Sequence, residues 1–307
     1  MLLNNRYNLM CLYTLDFFFD FCYYMKEERG GSMDLLIVAK EKDKDFYQDL
    51  DVTGFIFPLE GFAMDYKYKF TLDEIEELRC KDKKCFVVMN RMFFENDLDE
   101  LAEMLSKIDK MNIDGILYYD DSLLELKIEN NYKTNLYLNK NYMVTNSDTL
   151  NFYHHKGVMG AVLSNEITYG EIKNIRNNTT LELMQLLIGY PVVATSRRSL
   201  NTNSGNKKDL EVVEPKSNQH YFLIEDEFGT SFIYLKRFNG CKYLDDFKKI
   251  GINYGIIYQD DLERKELINL VELLNQGKIK EIDELLGRNR GFLNRKTIYQ
   301  VKKDGKN

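Results

Sequence analysis

Tryptophan is missing from the 307 residues, proline occurs 3 times, and histidine is confined to His154, His155 and His220. No uninterrupted apolar run reaches the length of a bilayer span, and mean hydropathy is −0.43, which excludes a membrane-spanning helix. The 5 cysteines are odd in number and scattered, so a disulfide scaffold is excluded and a reducing cytoplasm is the expected location. Positive charge is also in short supply: 42 Lys and Arg stand against 49 Asp and Glu, a net charge of −7. That balance opposes a general nucleic-acid surface, although it leaves room for a local basic patch. The zinc-protease pair of histidines, the nucleophile elbow, the P-loop and the dinucleotide fingerprint are all absent. What remains is a chain 44% hydrophobic and 30% charged, long enough for one large domain or two ordinary ones. Low proline with abundant Lys, Asn, Ile and Tyr is the composition of an AT-rich bacterial genome.

Residues 1–32 read differently from the rest. The apolar stretch Phe17, Phe18 and Phe19 is flanked by Asp16 and Asp20, and no small-residue cleavage site follows it, which argues against a signal peptide. Glu28-Arg29-Gly30-Gly31-Ser32 stands directly before Met33. Purine-rich codons for Glu-Arg-Gly-Gly can spell a bacterial ribosome-binding site. The expectation is a translated leader over 1–32, a folded domain over 33–302 and a tail over 303–307. Cys11 and Cys22 would then fall outside any chemistry.

From Met33 onward, short apolar runs alternate with amphipathic stretches. Leu35–Ala39, Gly54–Phe57, Cys85–Met89, Gly115–Tyr118, Asn135–Leu138, Gly160–Leu163, Leu181–Ile188 and Tyr254–Tyr258 read as eight strands. Helices are expected after most of them. One opens at Thr71 with Glu74 three residues on, a capping box. Another carries apolar residues at 98, 101, 104, 105 and 108, one helical face. Others are read at Ser122–Ile128, Ser147–His154, after Thr168 and at Leu262–Asn275. Eight strand-then-helix steps predict an α/β fold, a (β/α)8 TIM-barrel-like domain, with an open doubly wound sheet as the rival. An insertion over about 199–250 separates strands seven and eight. Its Asn201–Ser217 part reads as a polar mobile loop. Tyr221–Ile224 and Ser231–Leu235 around Asp226-Glu227-Phe228-Gly229 read as a β-hairpin.

In such a barrel, polar residues just past the strand ends converge on one mouth. Here these are Asn90, Asp120, Asn146, Glu166 and the Ser196-Arg197-Arg198 stretch. The competing reading is that each caps its following helix; Asp120 and Asp121 stand where N-caps belong. Arg197 and Arg198 follow the seventh strand, where TIM barrels often hold anions. Cys80 and Cys85 lack a second pair for zinc. His154-His155 suits a helix C-terminus as a cation, and His220 reads as an edge residue of the hairpin.

At these residues the chain resembles the collagenase-like peptidases of peptidase family U32. Tyr68–Glu77 resembles the family's NFTLEELEE segment, Val144-Thr145-Asn146-Ser147 its VTNS turn, and Val162–Thr168 its VLSRELS. Gly189–Leu200 lines up with GALCVAYSGRCL, and Asn289-Arg290-Gly291-Phe292 is similar to a C-terminal RGF. The similarity runs from about Met33 to Lys302. It implies a barrel fold and peptide hydrolysis, with collagen as the activity behind the name. Other members resemble factors that hydroxylate RNA bases (hydroxycytidine, hydroxyuridine) or ubiquinone and hold a four-iron four-sulfur cluster on four cysteines. Two matched cysteine positions are Val192 and Ser199 here, and Asn201–Ser217 contains no cysteine. The expectation is therefore no cofactor and no metal. Ile188, Met184 and Asn165 replace a His, a Glu and an Arg of the family. Asn146, Glu166, Glu182 and Arg198 survive, and Tyr258-Gln259 ends a strand that has lost its charged residues.

The binding set predicted from the sequence is Asn146, Glu166, Glu182, Arg198, Asn90 and Asp120, with Asn146, Glu166 and Arg198 lining one pocket and Glu182 beneath them. The function expected is a divergent U32 peptidase without a recognisable nucleophile–base pair. The rivals are a non-catalytic binding or scaffold protein and an RNA-base hydroxylation factor. A peptide or small molecule is the expected partner, with RNA disfavoured by net charge and no membrane.

Overall fold

The computed structural model describes residues 33–206, 209–216 and 218–295. The expected leader and tail lie outside them. Seven strands follow one another as β1 (Asp34–Val38), β2 (Gly54–Pro58), β3 (Lys84–Met89), β4 (Gly115–Tyr118), β5 (Leu136–Leu138), β6 (Gly160–Val162) and β7 (Glu182–Gly189). The chain then leaves the barrel and forms β8 (Val192–Ser196), β9 (Leu210–Glu214), β10 (Gln219–Asp226) and β11 (Gly229–Tyr234). It returns through the two-residue β12 (Phe238–Asn239) and the helix Leu244–Ile250 to β13 (Tyr254–Ile257). β1 to β7 and β13 are parallel. β6 pairs with β7, β7 with β13, and β13 with β1, which closes an eight-stranded TIM barrel.

The strands close in this way because they are apolar on both faces. Leu36, Ile37, Phe86, Val87, Val88, Leu183 and Ile257 are all buried, and since successive side chains alternate between faces, neighbours such as Leu36 and Ile37 face opposite sides of the barrel wall. The outer layer begins where capping chemistry dictates. Thr71 and Thr168 each accept a bond from the amide three residues on, while Glu74 and Glu171 reach back. Helix Leu98–Lys110 buries Leu101, Leu105 and Ile108, one side of its surface. Gly54 is fixed by close approach: a Cβ there would stand 2.3 Å from the Lys84 carbonyl oxygen on the neighbouring strand.

The insertion is larger than the expected hairpin. β10 and β11 form that hairpin, with Tyr221 opposite Tyr234 and Asp226 opposite Gly229. β9 adds to one side and β8 to the other, giving a four-stranded antiparallel sheet in the order β8-β11-β10-β9. The stretch read as a polar mobile loop contains the helix Leu200–Asn203 and strand β9. Glu225 holds that helix in place, accepting from the amide of Asn201 at 2.8 Å and from the Thr202 hydroxyl. A short helix thus gains the N-terminal carboxylate its unbonded amides favour.

Candidate functional site

The C-terminal ends of the barrel strands open onto a cavity of about 200 Å³. Asp65, Tyr66 and Lys67 come from the loop after β2, Asn90 follows β3, and Asn141 follows β5. Tyr190 follows β7, and Tyr258 and Asp260 follow β13. The inserted sheet roofs this mouth. Phe222, Ile224, Ile233 and Val192 alternate along its strands and supply an apolar wall. A smaller space directly below is lined by Ile56, Leu117, Leu186 and Ile256, the top of the barrel core.

Four contacts fasten the roof to the barrel. Ser231 donates its hydroxyl to Asp65 Oδ1. Lys69 Nζ meets Asp226 Oδ2 at 2.8 Å, at the hairpin tip. The Arg91 guanidinium lies 4.6 Å from the Phe228 ring centre and 4.6 Å from that of Phe93. Arg197 donates to the Met92 carbonyl and stacks 3.5 Å from the centre of the exposed Phe94 ring. The hairpin turn needs Gly229: its φ is +141°, and a Cβ would come within 2.0 Å of the Ser196 carbonyl oxygen.

Two carboxylates and two phenols set the electrostatics of the mouth. Asp65 sits in the left-handed region at φ 71°, which Asp tolerates better than most residues. Burial, with Asp226 nearby, pushes its carboxyl up to about 7, against the opposing pull of Lys69. Its Oδ2 is sealed from solvent and has no hydrogen-bond partner among the described residues. Asp260 is also raised, by burial and by Asp261, with Lys67 and Lys40 pulling the other way. Tyr66 and Tyr258 stack nearly parallel, at 12°, with their hydroxyls 3.0 Å apart. Burial lifts Tyr258 to about 12 and Tyr66 well above its usual range, so both are neutral donors at physiological pH.

The residues expected at one pocket are scattered. Asn90, 3% exposed, is at the mouth, where its Oδ1 accepts from the Met64 amide at 2.9 Å. Asp120 instead ties two loops, accepting from the amides of Phe93 and Ser122 at 3.0 Å each. Asn146 is the exposed N-cap of helix Ser147–His155 and accepts from the Thr149 amide at 2.8 Å. Arg198 is exposed beyond β8, not at a barrel-strand end; its carbonyl accepts from the Thr230 hydroxyl. Glu166 lines a separate groove of about 290 Å³ with Tyr221, Phe292 and Arg295, and desolvation there raises its carboxyl.

Glu182 corrects the expectation most sharply. It begins β7, at the barrel's opposite end, where Tyr137 donates to its Oε2 at 2.7 Å. Eight residues of strand, roughly 23 Å, separate it from the mouth. The expected common pocket of Asn146, Glu166, Arg198 and Glu182 is therefore not formed. The Arg290 segment is structural too: Arg290 is buried and grips Asp283 and the Asn239 carbonyl.

Sequence reasoning missed Asp65, Tyr66 and Asp260. The strand-end rule that found Asn90 points to them equally, one loop after β2 and two residues beyond Tyr258. An iron–sulfur cluster does not fit the described residues. The matched positions are Val192, in the roof, and Ser199. Cys80, Cys85 and Cys241 are buried on separate elements, and burial pushes Cys85 and Cys241 up to about 12, away from the thiolate a cluster requires. Among the described residues no group of three His, Cys, Asp or Glu is placed to hold a metal. No described helix is long and apolar enough to cross a membrane.

Comparison with known proteins places this arrangement in context. A family model described as peptidase family U32 matches residues 63–258, which include β2's loop, the roof and Tyr258. The tRNA hydroxylation protein P2 of Bacillus subtilis (strain 168) is 26% identical over 195 residues, 58% of this chain and 63% of that protein. An uncharacterized protease of Methanocaldococcus jannaschii is 29% identical over 141 residues, 44% of this chain and 34% of that one. The tRNA hydroxylation protein P of Escherichia coli (strain K12) is 27% identical over 44% of this chain and 30% of its own length. The chain thus spans less than two thirds of the length of these curated relatives. A solved U32 peptidase structure aligns with a TM-score of 0.47 at 14% identity, over 74% of this chain and 93% of that one.

Proposed function

Because the chain belongs to peptidase family U32, we propose that it is a non-proteolytic member that serves tRNA hydroxylation by holding a small ligand in the roofed barrel mouth. The observation that carries this reading is the roof itself. A protease must admit an extended polypeptide across its catalytic groups, whereas this cavity of about 200 Å³ lies beneath an inserted sheet fastened at four points. That volume is below the range of drug-sized ligand sites.

The chemistry of the lining agrees. Ser231 contacts Asp65 but is 2% exposed and does not line the cavity. Burial raises both Asp65 and Asp260, and the carboxylates that add to it are Asp226 for the first and Asp261 for the second. No lining residue is a cysteine, serine, threonine or histidine, so a hydroxyl or thiol nucleophile paired with a histidine base is missing from the wall. The relatives named for tRNA hydroxylation support the biological assignment. The protease-named relative supports the rival.

Both readings meet in one experiment. The gene is deleted in its host, and nucleosides from digested tRNA are measured by mass spectrometry. The purified chain is assayed in parallel on fluorogenic peptides and gelatin. A hydroxylated nucleoside that disappears on deletion and returns with the wild-type gene, without peptide cleavage above background, is the expected result. Cleavage abolished by Asp65→Asn, or an unchanged nucleoside profile, would overturn it.

A further inference from the structure

The chain as a whole is acidic, with a net charge of −7, yet residues 288–307 hold seven Lys and Arg against the single Asp304. A local excess of that size suits a polyanion. One of these cations is already engaged: Arg290 is buried and held by Asp283 at 2.6 Å. The Arg288 side chain is 77% exposed and lies 3.7 Å from the same carboxylate. Arg295 is exposed and lines the groove that contains Glu166. Lys296, Lys302, Lys303 and Lys306 follow it in sequence.

The groove stands beside the mouth. Its volume is about 290 Å³, and it shares Val192 and Tyr234 with the mouth cavity. The four fastenings of the roof gather towards the hairpin tip, where Asp226 faces Gly229; the groove lies at the other end, where Tyr221 faces Tyr234. Those two rings meet edge to face at 5.9 Å. Phe292 completes an aromatic lining and is 38% exposed, although it carries no polar atom. Glu166 is the carboxylate of the lining, an acceptor suited to a base amino group rather than to phosphate.

We propose that residues 288–307 and the adjoining groove form the docking surface for a single-stranded stretch of RNA, with phosphates along the basic segment and a base stacked on Phe292. The inference rests on the tRNA reading above and gives it a place of contact. Lys and Arg supply affinity for phosphates without reading sequence. An exposed ring beside them adds stacking, which every base can satisfy. A duplex keeps its bases from such a ring, so single strands are preferred.

The test uses the full chain and fluorescence anisotropy. The probes are total bacterial tRNA, a short labelled single-stranded RNA and the same strand as a duplex, with phosphatidylserine vesicles as competitor. One variant combines Arg295→Gln, Lys296→Gln, Lys302→Gln, Lys303→Gln and Lys306→Gln. A control makes the same charge change at the barrel's opposite end, with Lys81→Gln, Lys107→Gln, Lys110→Gln, Lys133→Gln and Lys249→Gln, all exposed positions. The first variant is expected to weaken tRNA and the single strand at least tenfold. Its slope of log affinity against log salt should fall by about 3, at about 0.7 per lost phosphate contact. The control is expected to stay within about threefold of the wild type. Phe292→Ala should weaken the single strand at least fivefold, spare the duplex and leave the salt slope as it was. Equal losses in the two charge variants, a preference for the duplex, an unaltered Phe292→Ala, displacement of RNA by the vesicles, or no RNA binding would overturn the proposal. The wild-type preference for single strand over duplex decides even if a variant fails to fold. RNA binding that depends on the segment, with an unchanged nucleoside profile on gene deletion, keeps this surface and removes the pathway; a lost nucleoside with segment-independent binding does the reverse.

Discussion

Asp65 links the mouth to the stability of the whole molecule. Its carboxyl stands at about 7 rather than the usual 3.8, because burial and Asp226 disfavour the ionised form. The native state therefore holds this proton more tightly than the unfolded chain does. Stability must fall as pH rises from about 4 through about 7, and the loss is complete above that window. At about 1.4 kcal/mol per pH unit, the displacement corresponds to about 4 kcal/mol at most. Partial exposure and charge screening reduce it to about 2 kcal/mol. Asp65→Asn removes the titration while keeping shape and backbone preference. It leaves an amide group without an acceptor, a cost of about 1–3 kcal/mol that is the same at every pH. The difference between two pH values cancels this fixed cost. Thermal midpoints of wild type and variant should be measured at pH 5 and pH 8.5. Between those values about two of the three pH units of the window are crossed, so the variant should gain on the wild type by about 3 °C, as about 1.2 kcal/mol implies for a domain of this size. Parallel pH profiles would show that Asp65 is not desolvated as the fold requires.

Gly229→Ala should loosen the roof without melting the barrel. The clash with the Ser196 carbonyl and the φ of +141° together cost about 2 kcal/mol, seen as faster trypsin cleavage within the insertion. Asn146→Ala removes one helix cap and should lower stability by about 1 kcal/mol in thermal denaturation. Tyr137→Phe deletes the bond to Glu182 at the barrel's far end. A loss of about 1 kcal/mol with unaltered mouth binding is expected, and a change in binding would mean that the two ends communicate.

The barrel was legible because its strands are buried on both faces, so that runs such as Leu35–Ala39 and Cys85–Met89 read as continuous apolar segments. The helix starts at Thr71 and Thr168 were equally legible from local hydrogen-bonding chemistry. The roof was half visible. β10 and β11 carry aromatic and branched residues around a tight turn, but β9 is a five-residue edge strand with Glu211 and Val213 exposed, and it resembles a loop until its partner is known. Surviving family residues misled where their work is structural. Asn146 caps its own helix, a use the local sequence already offered, and Glu182 receives the hydroxyl of Tyr137, a partner distant in sequence. Asp65 shows the opposite case. Nothing about an aspartate in a loop announces burial; that arises from Ser231, 166 residues later, closing over it.

The roof is one uninterrupted stretch of chain, leaving at Tyr190 and returning by Phe238. Heredity can therefore treat it as a cassette. Exchanging a single run of codons would replace Val192, Phe222, Ile224 and Ile233 together while the barrel strands, and Asp65 on their rim, stay as they are. Descendants of such a gene could diversify what fits beneath the lid without reopening the problem of how the barrel folds.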